Sequence, residues 1–246
     1  MIPFIPKQHA QNTALALFLG FILLLTGCAS TTPDGEVNDP IETANRSIYK
    51  FNEHFDQYLL KPTALGFQKL PTPVQTGTHN FFMNLNDVVV ITNDILQLNL
   101  EQGTSDTLRF SVNTVFGILG LIDMATPMGL PKHQESFAET LGHWGVGSGP
   151  YLVIPFLGSS SLRDAPALVV DFFTHPASAL SATNDIIGLA AVRMVDVRSQ
   201  LLKTTDIRDQ LALDPYIFTR ETYYQWRQNR IYDGNPPKVI IEDFEE

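Results

Sequence analysis

The sequence predicts a mainly α-helical protein. Apolar residues recur at intervals of three or four along most of its length, the period of a helix with one apolar face. Two such stretches follow an aspartate-proline pair, Asp39-Pro40 and Asp214-Pro215, which is typical of a helix start. No run of alternating residues separated by tight turns indicates a sheet. The expected exception is Thr140–Asp164, where five glycines lie among aromatic and apolar residues.

The first predicted helix begins after a capping sequence. Asp39 is expected to be the N-cap, Pro40 the first helical residue, and Glu42 the acidic partner of the cap. An aromatic-rich apolar stripe then continues to Tyr58. Lys61-Pro62 is expected to end this helix, because a proline inside a helix removes a hydrogen bond and clashes with the preceding turn.

Further helices are predicted up to the glycine-rich stretch. Thr72-Pro73 starts one of them. Asn86–Leu100 is too long and too evenly apolar for one half-buried strand, and it is interpreted as a mostly buried helix. Gly103 interrupts the pattern, and Thr104 or Ser105 is expected to cap the next helix, whose apolar spacing continues to Ile122.

The stretch Phe116–Ile122 is apolar on nearly all sides and far too short to cross a bilayer. Gly117 and Gly120 make one face thin, which allows another helix to approach closely. The apolar character continues past the predicted helix end to Leu130. Exposed apolar loops of this kind mark contacts with a partner or a membrane.

Three helices are predicted after the glycine-rich stretch. The first covers Ala165–Phe173, the second Ala182–Lys203, and the third begins at Asp214-Pro215. The second carries apolar residues on one side, namely Ile186, Leu189, Ala190, Met194, Val197 and Leu201.

The N-terminus predicts a secreted, lipid-anchored protein. The apolar run Ala14–Leu25 follows Lys7 and is too short for a membrane-spanning helix, so residues 1–27 are interpreted as a signal peptide. Leu25-Thr26-Gly27-Cys28 resembles a bacterial lipobox, in which the cysteine becomes the acylated first residue. Cys28, the only cysteine, is therefore the predicted lipid-attachment site. The alternative is an ordinary signal peptide with a chance cysteine. Ala29 favours the outer membrane over the inner one.

The mature chain is predicted to form one helical domain. Residues 28–38 are small and polar and are expected to be a flexible tether. The domain covers residues 39–232. Residues 233–246 form an acidic tail that is expected to be disordered.

The net charge restricts the possible partners. It is −10 for the whole chain and −11 without residues 1–27, which carry Lys7 and no acidic residue. An acidic chain without a block of Lys and Arg argues against binding nucleic acid. It also argues against electrostatic adhesion to anionic lipid.

No catalytic or metal-binding pattern is found. Gly147-Ser148-Gly149 and Gly158-Ser159-Ser160-Ser161 do not match G-x-S-x-G, and a nucleophile elbow needs an α/β sheet. His143 and Asp164 could serve as base and orienting acid by residue type alone. The six histidines are scattered and none pairs at metal-ligand spacing. No cofactor is expected, and the protein is not expected to be an enzyme.

The excess of apolar residues in a lipid-anchored chain suggests a body seated partly in a bilayer. Short apolar helices can lie within one leaflet. Irregular backbone such as Gly142–Pro150 survives at membrane depth only if it is buried in protein or lines a wet cavity. Together these features predict a glycine-rich hairpin beside an internal passage. Packing in the core of a soluble protein is the competing interpretation.

Many short motifs in this chain resemble one known family. The strongest are Thr140-Leu141-Gly142, Trp144-Gly145-Val146, Gly149-Pro150-Tyr151, Pro155 and Arg163-Asp164. Others are Asp39-Pro40-Ile41-Glu42, Asn45-Arg46, Phe51-Asn52, Asn80-Phe81-Phe82, Arg109-Phe110, Asn113-Thr114 and Gly117 through Asp123. In order and spacing they resemble the MlaA/VacJ outer-membrane lipoproteins from about Asp39 to Tyr224.

The resemblance implies a ring-like helical body in the inner leaflet of the outer membrane. Its amphipathic channel would extract misplaced outer-leaflet phospholipid and pass it to a soluble periplasmic lipid-binding protein. A trimeric porin would be a partner. By position, Gly142, Gly145, Gly147, Gly149 and Pro150 would belong to a hairpin that influences the channel.

Three functions remain open from the sequence. The leading one is phospholipid transport that maintains outer-membrane lipid asymmetry. The alternative is a structural lipoprotein that braces a porin or the envelope. A phospholipase is the third.

Overall fold

The computed structural model describes residues 37–180 and 182–237, and within them the predicted mainly α-helical fold is confirmed. Cys28, the signal peptide, most of the tether and residues 238–246 lie outside the described residues. The described elements are α1 Glu42–Phe55, α2 Lys61–Phe67, α3 Thr72–Leu96, α4 Leu100–Val115, α5 Phe137–His143, β1 Tyr151–Ile154, β2 Gly158–Ser161, α6 Asp164–Thr174, α7 Thr183–Leu211 and α8 Pro215–Ile231. Short 3₁₀ turns cover Thr126–Met128 and Pro176–Ala179.

The folded body begins inside the predicted tether. Val37 is buried with an exposed fraction of 6%. The Asn38 carbonyl accepts a hydrogen bond of 2.9 Å from the Tyr151 N–H. The last two tether residues are therefore part of the packed structure.

Asp39 does not cap α1 as predicted. The N-cap is Ile41, which offers no side-chain cap. Asp39 instead accepts hydrogen bonds from Asn45 Nδ2, at 2.8 Å, and from the Tyr216 hydroxyl. The carboxylate thus ties the start of α1 to α8, because tertiary partners replace the local amides.

The prediction that Pro62 ends the first helix is wrong. Residues Asp56–Leu60 form a π-helical turn, and the Lys61 N–H donates to the Asp56 carbonyl five residues earlier. Pro62 is then the second residue of α2, which continues directly from this turn. The wider turn allows the chain to continue as helix through a proline.

A single helix, α3, replaces the two that were predicted between Thr72 and Leu100. The chain turns after it at Leu98, whose φ of 61° lies in the left-handed region. Its buried face is polar as well as apolar, comprising Phe82, Asn84, Asp87, Val89, Val90, Asn93 and Asp94. The expectation of a mostly buried helix holds up to Asp94, and the residues from Ile95 to Leu100 are half-buried or exposed.

Asn99, and not Thr104 or Ser105, caps α4. Its side chain accepts from the Gln102 N–H at 3.3 Å. Gly103 lies inside the helix and faces α3, where a Cβ would lie 3.2 Å from the Asp94 Cβ. This glycine allows the close packing of α3 against α4.

Helix α4 ends at Val115, so the predicted continuation to Ile122 is wrong. The chain then turns through Ile118 and Leu119, which have φ values of 55° and 56°. The exposed apolar residues of this segment are Val115, Phe116, Ile118, Leu119, Leu121, Ile122, Met124 and Met128. Close approach at Gly120 is confirmed, since a Cβ there would lie 2.4 Å from the Asn84 Cβ.

The last three predicted helices are present, as α6, α7 and α8. Asp214 caps α8 as predicted, accepting from the Tyr216 N–H at 2.9 Å and the Ile217 N–H at 3.3 Å. Helix α7 continues to Leu211, beyond the expected end at Lys203.

A cavity, called the central cavity, lies between α3, α6 and α7, and four helices contact one another in a circuit. Helix α3 contacts α7, α7 contacts α8, α8 contacts α5, and α5 contacts α3, which closes a circuit. This is the ring-like arrangement that the resemblance implied. The buried apolar cluster lies at one side of the ring, where β1 packs on α8, and consists of Val37, Tyr151, Val153, Tyr216, Tyr223 and Tyr224.

Burial is inverted relative to a soluble protein. Among the described residues, 20 polar or charged residues are buried, against 14 apolar ones, while 41 large apolar side chains are exposed. Soluble proteins bury apolar side chains and almost never bury charged ones unless they are paired. None of the described helices is long and apolar enough to cross a membrane.

Candidate functional site: an amphipathic cavity

The central cavity has a volume of about 550 Å³, within the range of ligand pockets. Helices α3, α6 and α7 supply most of its wall. The segment before α5, the β1–β2 turn and the 3₁₀ turn after α6 complete it. Its apolar lining is chiefly Phe82, Val89, Leu168, Phe172, Ile186 and Leu189.

Six polar residues interrupt the apolar lining of the cavity: Asn86, Glu135, Ser136, Asp171, His175 and Arg193. Asp171 accepts from the Phe137 N–H at 2.9 Å. Glu135 accepts from Gln97 Nε2 at 2.9 Å. The cavity is thus amphipathic, with hydrogen-bonding groups set among surfaces that suit hydrocarbon.

Burial changes the protonation of the polar lining. It raises the pKa of Glu135 to about 8, with the neighbouring Glu139 adding to the shift. It lowers the pKa of His175 to about 4, and the Arg193 guanidinium acts in the same direction. Both side chains are therefore neutral at pH 7. Burial also raises the pKa of Asp171.

The central cavity shares walls with two neighbours. A lateral groove of about 680 Å³, mostly apolar, shares Phe82 and Leu189 with it. A polar pocket of about 300 Å³, lined by residues such as His133 and Arg230, shares Glu135 with it. The three spaces therefore form a series, with the amphipathic cavity between an apolar groove and a polar pocket.

The hairpin is fixed to α1 by two asparagines, seven residues apart on one helix face. Asn45 accepts from the Val153 N–H at 2.9 Å and donates to the Tyr151 carbonyl at 3.0 Å. Asn52 accepts from the Phe156 N–H at 2.8 Å and donates to the Ile154 carbonyl at 3.0 Å. These amides replace a neighbouring strand at the free edge of β1.

The hairpin strands lie after most of the predicted hairpin residues. Strand β1 pairs antiparallel with β2, and Leu157 in their turn lines the central cavity. Gly149 and Pro150 lie at the base of the hairpin, where the Pro150 carbonyl accepts from the Leu162 N–H at 3.0 Å. None of the five residues Gly142, Gly145, Gly147, Gly149 and Pro150 lines the cavity itself.

Three of these glycines meet different local requirements. Gly145 ends α5 with a φ of 86°, in a left-handed C-terminal turn where the Val146 N–H donates to the Leu141 carbonyl. A Cβ at Gly145 would meet open space, whereas one at Gly142 would lie 2.6 Å from Ile231 Cδ1. Gly149 also has a positive φ, of 67°. Gly142 is thus a packing residue, and the other two are required by backbone conformation.

A buried charge network lies behind the hairpin. Glu139 on α5 contacts Arg227 at 2.8 Å and Arg230 at 2.6 Å. Asp164, at the start of α6, contacts Arg163 at 2.7 Å and Arg227 at 2.8 Å. Burial alone would raise the pKa of Asp164, but the two guanidinium groups hold it below its ordinary value. This network joins α5, α6 and α8 next to the hairpin.

The catalytic alternative is not supported by the geometry. Asp164 contacts arginines and the Tyr223 hydroxyl, and no histidine is among its hydrogen-bond or ion-pair partners. His143 is exposed at the end of α5. The Ser159 hydroxyl is hydrogen-bonded to the Tyr151 hydroxyl at 2.8 Å. Within residues 37–180 and 182–237, no group of three or more His, Cys, Asp or Glu could hold a metal ion.

Sequence reasoning missed the polar lining of the cavity. Arg193 could have been found, because it falls on the predicted apolar side of α7, four residues after Leu189 and four before Val197. A charged residue in register with an apolar stripe is unusual on a helix that faces a dry core. His175 and Asn86 carried no comparable signal.

These features define a class of protein. A helical body with an apolar exterior, a polar interior and an amphipathic cavity is a membrane-associated protein that handles lipid. The MlaA lipoprotein family model matches residues 37–230, and the chain belongs to this family.

The chain is similar to several relatives along most of their length. It is 38% identical over 242 residues to the intermembrane phospholipid transport system lipoprotein MlaA of Escherichia coli (strain K12), covering 93% of this chain and 94% of that protein. The protein of the same name in Haemophilus influenzae is 34% identical, with 91% and 92% covered. An uncharacterised protein of Rickettsia felis is 32% identical, with 78% of each chain covered.

A solved structure has the same fold. It is described as "Structural basis for maintenance of bacterial outer membrane lipid asymmetry", and it matches with a TM-score of 0.70 and 33% sequence identity. The match covers 80% of this chain and 100% of that chain.

Proposed function

We propose that this protein removes misplaced phospholipid from the outer leaflet of the outer membrane and passes it towards the periplasm. The observation that carries the proposal is the series of adjacent spaces, from the lateral groove through the central cavity to the polar pocket, which share wall residues. Phe82 and Leu189 belong to the first two spaces, and Glu135 to the last two. A molecule with apolar tails and a polar head can be solvated at every point of such a route.

The exposed apolar side chains support a position in the membrane. Phe116, Leu119 and Phe173 are each more than 60% exposed, at 69%, 65% and 71%. Apolar surface of this extent needs a cover, and hydrocarbon is the cover available to a lipid-anchored protein. We place the body in the inner leaflet of the outer membrane, anchored through acylated Cys28.

Two partners complete the proposal. A trimeric porin would contact part of the exposed apolar surface, and a soluble periplasmic carrier would receive lipid beyond the polar pocket. The relatives in Escherichia coli and Haemophilus influenzae are named as parts of an intermembrane phospholipid transport system, which requires an acceptor. Transport involves no covalent step in this proposal, so the protein is not an enzyme.

The hairpin influences passage through its turn. Leu157 forms part of the cavity wall, and the backbone of Gly145, Gly147 and Gly149 sets the path by which the chain reaches β1. A change in that path would move Leu157 relative to the cavity. Gly142 and Pro150 lie at the two ends of the segment that joins α5 to β1.

Two neighbouring alanines of α7 provide a matched test. Ala190 lines the central cavity, whereas Ala191 lines an apolar groove between α2 and α7 that shares no lining residue with this cavity. In a bacterium that lacks the chromosomal gene, Ala190→Trp should leave phospholipid in the outer leaflet, measured by labelling of surface-exposed phospholipid. Ala191→Trp, at equal abundance in the membrane, should restore normal levels.

The same experiment separates the alternatives. If both variants restore asymmetry, the cavity is not the route, and a structural lipoprotein that braces a porin or the envelope is the better account. If outer-leaflet phospholipid is unchanged by deletion of the gene itself, the transport function is refuted. A phospholipase would release lysophospholipid or fatty acid, and the purified protein should release neither.

A further inference from the structure

Arg193 differs from the other arginines of the described chain in its partners. The other eight arginines in residues 37–180 and 182–237 each have a carboxylate within 4.0 Å. Arg193 has none. Its Nη1 lies 3.2 Å from His175 Nε2, and its Nη2 lies 3.4 Å from Asn86 Oδ1.

The nearest carboxylate on the same helix, Asp196, lies more than 4.0 Å from the Arg193 guanidinium and pairs with another side chain. Asp196, fully buried, contacts His79 Nδ1 at 3.0 Å. Burial lowers the pKa of Arg193, and Asp196 offsets this only in part. Placing a guanidinium in a partly dry cavity without a paired anion is unfavourable, because the charge loses hydration that no partner replaces. The position therefore lacks an anion that the ion-paired arginines of the described chain possess.

The contact between Arg193 and His175 places two donors side by side. His175 Nδ1 accepts from the Ala177 N–H at 3.2 Å, at the start of the 3₁₀ turn. A neutral imidazole has one N–H, and with Nδ1 acting as acceptor that proton lies on Nε2. Nε2–H and the Arg193 guanidinium then place two donors side by side on the cavity wall, with the two nitrogens 3.2 Å apart.

The acidic residues of the cavity leave room for an anion at this point. Glu135 is neutral below about pH 8, because burial raises its pKa to that value. Asp171 accepts from the Phe137 N–H and from Asn93 Nδ2, at 2.9 Å and 3.4 Å. Glu135 lies in the segment before α5 and Asp171 lies on α6.

We propose that Arg193, together with His175 Nε2–H, binds the phosphate of a phospholipid within the central cavity. The ligand class is a phosphodiester carrying acyl chains, whose tails contact Phe82, Leu168 and Phe172. A guanidinium presents a planar pair of donors that matches two phosphate oxygens. The inference rests on the proposed function, since it names the group by which the transported lipid is held.

Equilibrium binding to the full-length protein in mild detergent tests the inference. The probes are a short-chain phosphatidylglycerol and the diacylglycerol with the same acyl chains. Arg193→Met should weaken phosphatidylglycerol binding about tenfold or more and leave diacylglycerol binding unchanged, because only a charge-assisted hydrogen bond to phosphate is lost. Arg193→Lys should recover part of the loss.

A matched control is available on the same helix. Lys203 is exposed and outside the cavity, so Lys203→Met removes one positive charge from α7 without touching the lining. It should bind both probes as the wild type does. Thermal unfolding of all variants checks that each is folded.

The outcomes distinguish this inference from the proposed function. If the wild type binds neither probe, the proposed function fails. If it binds both and Arg193→Met weakens neither, or weakens both equally, the phosphate site is refuted while lipid binding stands. Inorganic phosphate is the third probe: if it binds the wild type and is lost in Arg193→Met while phosphatidylglycerol is retained, the site serves free phosphate and the lipid assignment is overturned.

Discussion

Replacing Glu135 by glutamine should remove part of the pH dependence of folding. Glu135 is 8% exposed, accepts from Gln97 and lies between the central cavity and the polar pocket. Burial raises its pKa from 4.5 to about 8 in the folded protein. Glutamine keeps the size and the accepting oxygen but cannot ionise.

The sign and the magnitude of this pH dependence follow from proton linkage. Between about pH 4.5 and pH 8 the unfolded chain has released a proton that the folded protein keeps on Glu135. Stability from this group is fully present below pH 4.5 and is lost as pH rises towards 8. The contribution of Glu135 to the free energy of unfolding falls by about 1.4 kcal/mol per pH unit, or by about 2.7 kcal/mol between pH 5 and pH 7.

Urea unfolding in detergent micelles at pH 5, 6, 7 and 8 provides the measurement. The free energy of unfolding of the wild type minus that of Glu135→Gln should fall by about this amount from pH 5 to pH 7. Other titrating groups cancel in the difference. Glu101→Gln, at an exposed position of α4, controls for the loss of a carboxyl group. A difference that is constant across this range would mean that Glu135 is ionised in the folded protein, and the reasoning would fail.

Three further predictions concern the hairpin. Asn45→Ala leaves the Val153 N–H and the Tyr151 carbonyl without their buried partner, so urea unfolding should show a loss of about 1–3 kcal/mol for each group. Gly145→Val adds a side chain in open space at a positive φ, and it should lower the free energy of unfolding by about 1–2 kcal/mol. The variant should still fold, but phospholipid removal in cells should fall below the wild-type level. A stable variant with normal removal would contradict this. Leu157→Asp places a charge in the cavity wall, and we expect normal thermal unfolding but surface-exposed phospholipid above the wild-type level.

The sequence predicted most helices because their signals are local. Asp214 caps α8 as expected from capping preferences, and α3 starts at Thr72-Pro73 as expected from fixed proline geometry, without a side-chain cap. The predictions failed where tertiary partners competed with local ones. Asp39 binds α8 instead of capping α1, and the chain passes Pro62 through a π turn.

The apolar surplus and the glycine-rich stretch could be read from the sequence, and both pointed to a passage beside a membrane. The interior could not be read in the same way. Periodicity identifies an apolar stripe but does not say whether it faces a core, a lipid or a cavity. In this fold the buried face of α3 carries Asn84, Asp87 and Asp94, while Phe116 and Phe173 are exposed.

The sequence by itself determined the helical class, the family motifs, the predicted anchor at Cys28 and the glycines that backbone conformation requires. Only the tertiary structure decided which side chains line the cavity. Three of these side chains are distant in the sequence. Asn86 lies on α3, His175 lies in the turn after α6, and Arg193 lies on α7. Their proximity depends on how the helices pack against one another. Hydrogen bonds and charge pairs between distant elements leave no signal in the local sequence pattern.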